Sequence, residues 1–348
     1  MTNISPDGKL TIDDLISFLD TVEWYDNSRI ETIQACKRKA YYSQIGPTGT
    51  PLAKRVGDGA HFGTCMHAAH ESYYTGWSSL TETARRLNGV RAFQNAYSEL
   101  FPNGPQRPIH TLVNGLDIWD CYCDACLVED RLYRPVDPEI GLVVRVAPRS
   151  HEPVFKPFWY VGRADGVWER VAHHDYFVGE LKTSSGGVER RIKSLTFHRQ
   201  PVGYVFQVRE LVKEGKFPEV NNYLDIKGSF CTVMGIQAQK RDLDREYFVL
   251  SEEDTEDWRA ETIENVQEWR TRRKAVGEMG RNWKHIYYKE TEECTKYGLC
   301  PYWDLCKFGV TPDSLADFTI ETWNPLIGSR PAPEHVEISD PGTIRISR

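Results

Sequence analysis

Gly162-Arg163-Ala164-Asp165-Gly166-Val167, followed by Gly179-Glu180-Leu181-Lys182-Thr183-Ser184, is the stretch on which the reading of this chain turns. Glu180 and Lys182 are spaced i, i+2. On a β-strand such residues point to one face, so they stand side by side with Leu181 turned away. Two carboxylates and an ammonium converging on one point suit a hard divalent cation next to a phosphate. In that chemistry Asp165 and Glu180 bind Mg2+ or Mn2+ through oxygen, and the Leu181 carbonyl adds a ligand. Lys182 helps deprotonate the attacking water and offsets charge building on the phosphate. Taken alone, Ala-Asp-Gly is ordinary turn chemistry, and a Glu-x-Lys is an exposed ion pair on a strand edge. Here the two segments read as adjacent antiparallel strands, joined by the short connection Glu169 to Asp175. Each mixes apolar neighbours with charge, which sets the charges close to a core.

Two further pairs fit this centre. His67 and Glu71 are i, i+4 in Gly63-Thr-Cys-Met-His-Ala-Ala-His-Glu71 and share a helical face, with His70 pointing away. The bland alternative is a surface histidine pair. Gln200 and Tyr204 are likewise i, i+4 on the helix after the strand block, placed to position phosphates or the attacking water.

Outward from this centre, periodicity predicts helices over Ile12–Val22, Ile30–Tyr42 (capped by Ser28), Phe62–Tyr74, Leu80–Leu100 and Leu112–Tyr133. Strands are predicted at 141–147, 158–161, 164–170 and 176–182. A helix follows from about Ser194 to Lys213, then strands at 230–239 and 246–250, then a long polar helix from Glu252 to about Val276. The Pro- and Gly-rich tail from Asn324 reads as a loop or arm. This order predicts a mixed α/β sheet with an N-terminal helical lobe.

The 348 residues suffice for a large core in one or two domains. A net charge of −7 argues against a protein that coats nucleic acid nonspecifically, though not against a local basic groove. No apolar run is long enough to span a bilayer, and the polar Met1–Leu10 lacks a secretory signal. A cytoplasmic protein with no membrane partner is therefore expected. The nine cysteines are an odd number and are not expected to form a disulfide framework.

Taken in chain order, Gly63-x3-His67, Gly162-x2-Asp165, Glu180-x-Lys182 and Gln200-x3-Tyr204 resemble the RecB-type branch of the PD-(D/E)xK nucleases. Ala164 stands where that family has its namesake proline. The resemblance implies a restriction-endonuclease-like mixed central sheet flanked by helices. It implies that His67, Asp165 and Glu180 bind the metals, that Lys182 is catalytic, and that Gln200 and Tyr204 help hold substrate. The expected layout is a single nuclease domain over 1–320, with a helical lobe at about 52–134, a catalytic core at about 135–250 and a cluster-binding segment at about 251–310. Residues 321–348 are the tail.

Cys36 near the N-terminus and the run Cys294-x5-Cys300-x5-Cys306 sharpen the match. They resemble the four thiolates of the iron–sulfur nucleases, the AddB nuclease domain and the CRISPR-associated RecB-like exonucleases among them. This implies a 4Fe–4S cluster stapling the two ends of the chain. Zinc suits four thiolates equally and stays open. Cys121, Cys123 and Cys126 cannot all reach one metal from one helix, and with Cys65 and Cys231 they read as core thiols.

Candidate phosphate contacts are Arg190-Arg191, Lys193, His198-Arg199, Lys37-Arg38-Lys39 and Lys54-Arg55. The group Arg270 to Lys274 reads as a solvated helix face, and the tyrosine pairs 41–42 and 73–74 read as core. The leading reading is a metal-dependent DNA exonuclease acting on single strands or ends, in recombination, repair, phage DNA metabolism or CRISPR adaptation. No Gly-x4-Gly-Lys-Ser/Thr run is present, so any unwinding falls to a partner helicase or to a recombination or CRISPR protein. A homo-oligomer is compatible with the resemblance. The rival reading is a nuclease-fold DNA-binding scaffold that does not cut.

Overall fold

Three long helices come early in the chain, because apolar and aromatic residues recur at helical spacing with capping residues ahead of them. The computed structural model describes residues 9–10, 12–47, 49–54, 57–126, 131–195, 198–237, 242–278, 281–296, 299–316, 318–319, 336–338 and 343–346. The N-terminal part runs β1 (Lys9–Leu10), α1 (Ile12–Thr21), β2 (Trp24–Tyr25), α2 (Asn27–Ala35), α3 (Lys37–Gln44) and β3 (Ala53–Lys54). The helical lobe follows: α4 (Asp58–Thr75), α5 (Glu82–Leu100) and α6 (Leu112–Cys126). Then come β4 (Tyr133–Asp137), β5 (Ile140–Val146), β6 (Phe158–Ala164), β7 (Val167–Arg170), β8 (Asp175–Ser184), α7 (Val188–Leu195) and α8 (Arg199–Lys213). The C-terminal part holds β9 (Ile226–Gly235), β10 (Leu243–Val249), α9 (Glu252–Gly277), α10 (Trp283–Ile286), α11 (Trp303–Phe308), α12 (Pro312–Leu315), β11 (Phe318–Thr319), β12 (Val336–Ile338) and β13 (Thr343–Ile346).

The mixed α/β class holds, but the expected central sheet is two sheets. One has the strand order β10-β9-β8-β7-β4, with β8 and β9 parallel and the other pairs antiparallel. The other has the order β1-β12-β13-β5-β6-β2, with β2 and β6 parallel. The chain crosses between them at the β6–β7 corner, where Gly166 has φ +135°. A side chain at that φ would be strained. A short β3–β11 ribbon lies apart.

β8 is central and covered on both faces, so Phe177 to Leu181 are buried without a break. Phe177 and Leu181 meet the helical lobe, in a core with Phe62, Met66, Tyr74 and Trp119. Val178 faces the other way, into a core built from Tyr204, Val205 and Val208 of α8 with Ile140, Leu142 and Ala164. Period-two alternation then puts Glu180 and Lys182 on the α8 side. A third core packs α2 and α3 against β5, β6, α9 and the turns near Tyr287 and Tyr302.

Several elements differ from expectation. The single helix over Ile30–Tyr42 is broken: Cys36 is extended (φ −159°, ψ 115°) between α2 and α3. Its neighbour Arg38 receives a distant segment, since its backbone N–H donates to the Tyr288 carbonyl. The cap of α2 is Asp26, which accepts the Arg29 N–H at 2.7 Å, and not Ser28. The helix expected from Ser194 is two helices, α7 and α8. Within the expected tail, β12 and β13 are strands, and β13 pairs with β5. Residues 320–335, 339–342 and 347–348 of that region lie outside the described residues, as does Arg55. Cys65, Cys123, Cys126 and Cys231 are buried, and Cys121 is partly buried. Among the described residues no helix is long and apolar enough to cross a membrane.

Candidate active site

Two sheets and two helices bring the motif residues together. Asp165 sits at the β6–β7 corner, and its backbone is held by the Asp165 N–H to Gly179 carbonyl bond (3.2 Å) and the Gly179 N–H to Gly166 carbonyl bond (2.9 Å). Its side chain bridges two elements. Oδ1 lies 2.6 Å from His67 Nδ1 on α4, and Oδ2 accepts the Leu181 N–H of β8 at 2.7 Å. The glycines of the motifs are explained by this packing. A Cβ at Gly63 would meet Thr183 Oγ1 at 3.3 Å, so the glycine lets α4 come close to β8. A Cβ at Gly162 would lie 2.7 Å from both Gln207 Oε1 and Tyr204 Cε1, so this glycine seats α8 against β6.

Glu180 and Lys182 stand side by side, as the spacing demands, with Glu180 Oε1 paired to Lys182 Nζ. Gln200 Nε2 donates to the Tyr204 hydroxyl at 2.8 Å. His67, Asp165, Glu180, Lys182, Gln200 and Tyr204 all line one cleft of about 500 Å³. Leu181 does not line it with its side chain, which is buried in the lobe core. Its carbonyl leaves β8 on the side of its N–H, hence toward Asp165. Pairing of β7 with β8 ends at Val178, so no strand occupies that edge beside Leu181.

The electrostatics are those of two buried carboxylates close together. Burial works to raise the Asp165 pKa, but the His67 charge and hydrogen bond outweigh it and leave it well below the usual range. Burial pushes Glu180 up to about 7, with the Asp165 charge adding to the rise and Lys182 opposing it. Burial disfavours the Lys182 charge, yet Glu180 holds its pKa above the ordinary value. Glu180 Oε2 is buried and has no hydrogen-bond partner among the described residues. A buried carboxylate oxygen without a partner is costly, and a dication satisfies it. Two carboxylates, an imidazole and a backbone carbonyl are also donors that Mg2+ or Mn2+ takes.

An acid on β8, a lysine two residues on and an aspartate at the corner of the preceding hairpin form the centre for which one nuclease superfamily is named. A sequence model of the PD-(D/E)XK nuclease superfamily matches residues 27–307. The chain belongs to the PD-(D/E)XK nuclease superfamily. Nucleases of this superfamily act on DNA and typically use Mg2+ or Mn2+. No curated protein matches the chain. Among solved structures, that of SSO0001 aligns at 13% identity over 57% of this chain and 84% of its own, with a TM-score of 0.24.

The nuclease cleft has parts the sequence did not reveal. Asp26, Asn27 and Ser28, at the start of α2, line it. Asp26 is the cap of α2, the role expected of Ser28, and it stands in the cleft wall as well. Nearby, His198 Nε2 lies 3.2 Å from Glu31 Oε1. Burial raises Glu31, whereas His198 is lowered to about 4 by burial, with Lys182 and Arg191 adding to the fall. Both groups are pushed toward neutrality, so the contact is a hydrogen bond more than an ion pair. No local signal marks Glu31, and His198, expected as a phosphate contact, meets it only in the folded chain.

The expected basic contacts divide. Arg191 is placed close enough to the cleft for its charge to act on Lys182. Lys37 and Arg38 are buried, and neither lines the cleft that holds Asp165 and Glu180. Lys37 Nζ donates to the Ile33 carbonyl at 2.8 Å and pairs with Glu268 at 3.2 Å. Arg38 donates to the carbonyls of Tyr287 and Lys284. Lys193 pairs with Glu189, and Arg199 with Glu261. Tyr41, Tyr42, Tyr73 and Tyr74 are buried, as expected of core residues.

The four cysteines of the expected staple lie in segments that do meet. The Tyr42 hydroxyl donates to the Leu305 carbonyl, and the Tyr302 hydroxyl to the Leu52 carbonyl. Burial raises the thiols of Cys294 and Cys306, and the charges of Cys36 and Cys300 add to both. All nine cysteines are free thiols. Among the described residues no group of three or more His, Cys, Asp or Glu side chains stands close enough to hold a metal ion. Hydrogen bonds and stacked rings join the two ends of the chain there, with Tyr42 and Tyr302 stacked 5.6 Å apart. In the nuclease cleft His67 is paired with Asp165, and Glu180 Oε1 with Lys182.

Proposed function

We propose that this chain is a metal-dependent DNA exonuclease of the RecB type, hydrolysing phosphodiester bonds in single strands or at DNA ends. The buried, unpartnered Oε2 of Glu180, in one cleft with Asp165 and Lys182, carries this reading. Asp165, Glu180, His67 and the Leu181 carbonyl would hold a hard dication, which would supply Lewis acidity toward the phosphate. The chain's own residues do the rest. Asp165 fixes β8 relative to α4 through its two hydrogen bonds. Lys182 supplies positive charge where the phosphate gains negative charge. Gln200 and Tyr204 form a polar wall that orients the strand, and Arg191 draws it in. The ordered set of four motifs supports the RecB-type branch, because all four converge on this cleft. The role in recombination, repair, phage metabolism or CRISPR adaptation, with a helicase or other partner, follows from that branch.

The same branch carries the proposal of a 4Fe–4S cluster on Cys36, Cys294, Cys300 and Cys306, with zinc as the rival metal. The meeting of the two segments that carry these thiols supports it. Iron, sulfide and zinc analysis of the purified protein separates the two.

The test of the main proposal is digestion of end-labelled single- and double-stranded DNA with Mg2+ or Mn2+, with Lys182→Ala alongside. Stepwise loss of label from one end in the wild type, absent from the variant, is expected. No cleavage with either metal would overturn the enzyme reading in favour of a non-cutting scaffold.

A further inference from the structure

Far along the chain from the catalytic motifs, α3 and the turns carrying α10 and α11 enclose a second cleft of about 720 Å³. Its lining includes Arg38, Lys284, Lys289 and Lys307 and no aspartate or glutamate. In a chain of net charge −7, four cations around one cleft without an acid is a local reversal of sign. Among the described residues none of the four has a carboxylate partner. Arg38 is spent on two backbone carbonyls, and Lys289 donates to the Cys306 carbonyl at 3.0 Å. Lys284 lies over the Trp283 ring at 5.8 Å, and Lys307 over the rings of Phe308 at 5.0 Å and Trp303 at 6.0 Å.

The rings are the second observation. Trp283 lines the cleft while stacked on Tyr41, with centroids 4.5 Å apart. Phe308 also lines it and is 64% exposed. A cation-lined wall fits phosphates, and exposed flat rings fit bases whose faces are free. A bare anion uses the first and leaves the second unexplained. A duplex hides its bases and leaves the same remainder.

We infer that this cleft binds a single strand of DNA, as a second site beside the catalytic one. The inference rests on the nuclease reading for the identity of the ligand. The two clefts are joined by consecutive helices, since Asp26 to Ser28 at the start of α2 line the first and Arg38 of α3 lines the second. Ten residues separate Ser28 from Arg38, a span of at most roughly 35 Å, so one strand reaches both. The second cleft holds the strand while the catalytic cleft works on it.

The experiment uses the full chain in EDTA, so that binding is read without cutting. A fluorescent oligothymidylate long enough to reach both clefts is titrated against wild type, K284E/K307E and F308A. The charge reversal is expected to weaken binding at least tenfold and to lower the slope of log affinity against log salt by roughly 1 to 2. F308A is expected to weaken binding several-fold with the slope unchanged. Unaltered affinity in folded K284E/K307E would overturn the site. A loss on charge reversal with no effect of F308A would overturn the strand assignment in favour of a bare anion. A small chromogenic phosphodiester, hydrolysed with Mn2+, reads the catalytic cleft alone and is expected to be cut equally by all three proteins. Its failure in the wild type would count against the nuclease reading and leave the binding result standing.

Discussion

At the residue scale the cleft is a set of charges that neutralise each other in part. Lys182 has one partner, Glu180, whose pKa is already raised to about 7. Removal of the ammonium therefore lets the carboxyl take a proton, so the fold tolerates the change. Lys182→Met is expected to cost on the order of 10²–10³ in kcat while the Tm stays near that of wild type. Steady-state kinetics and a thermal melt check this, and a large fall in Tm would make Lys182 a structural residue. His198 permits a prediction on pH. Its folded pKa of about 4 lies below the ordinary histidine value of about 6.5. Between these values the unfolded chain binds the extra proton, so stability falls as pH drops from about 6.5 to about 4. The depression, discounted for partial exposure, is worth on the order of 1–2 kcal/mol. Glu31, raised by burial, gives a slope of the opposite sign. The comparison of wild type with His198→Gln isolates the histidine: the variant is expected to lose less Tm on acidification, and parallel curves would refute the assignment.

At the scale of elements, the motif glycines act as spacers. Gly162 stands under Tyr204 and Gln207 of α8. Gly162→Ala places a methyl 2.7 Å from two of their atoms, an overpacking worth about 1–3 kcal/mol. Such a variant is expected to melt lower and to lose activity although no charged group of the cleft has changed, because α8 carries Gln200 and Tyr204. Full activity with an unchanged Tm would show that α8 is free to slide. The break at Cys36 is a second case. The sequence there holds neither Pro nor Gly, and local propensity predicts one helix. The helix is interrupted because the segment around Tyr287 and Tyr288 docks into it through Arg38. Tertiary contacts override propensity where a partner for the freed backbone groups is supplied.

At the scale of the whole molecule, the two ends of the chain are joined. β2 lies beside β6, β13 beside β5, and the Cys36 segment beside the turns that carry the three late cysteines. If a metal centre closes that junction, the loop between Cys36 and the late cysteines is constrained in the unfolded state by on the order of 5 kcal/mol in a chain-entropy treatment. Cys36→Ser is then expected to lose bound iron or zinc and to lower the Tm by many degrees, read by metal analysis and calorimetry together. A variant as stable as wild type would show that hydrogen bonds and stacked rings suffice.

The class of fold and most of the cleft were legible in the sequence, because period and spacing are local quantities. The i, i+2 spacing of Glu180 and Lys182 sets them on one face of any strand, and the i, i+4 spacing of Gln200 and Tyr204 on one face of any helix. The lobe, the long α9 and the edge of β10 follow from periodicity in the same way. Contacts between distant segments had no such signal. Glu31 against His198, Asp26 at the cleft wall, and Lys37 and Arg38 withdrawn into the interior depend on which elements pack together. So does the division into two sheets at the Asp165 corner, since a strand's pattern records that a face is buried and not what buries it. By itself the sequence marked the residues that meet in one cleft. The tertiary structure decided which of the remaining charges face a substrate, because burial and partner choice are properties of packing and not of spacing.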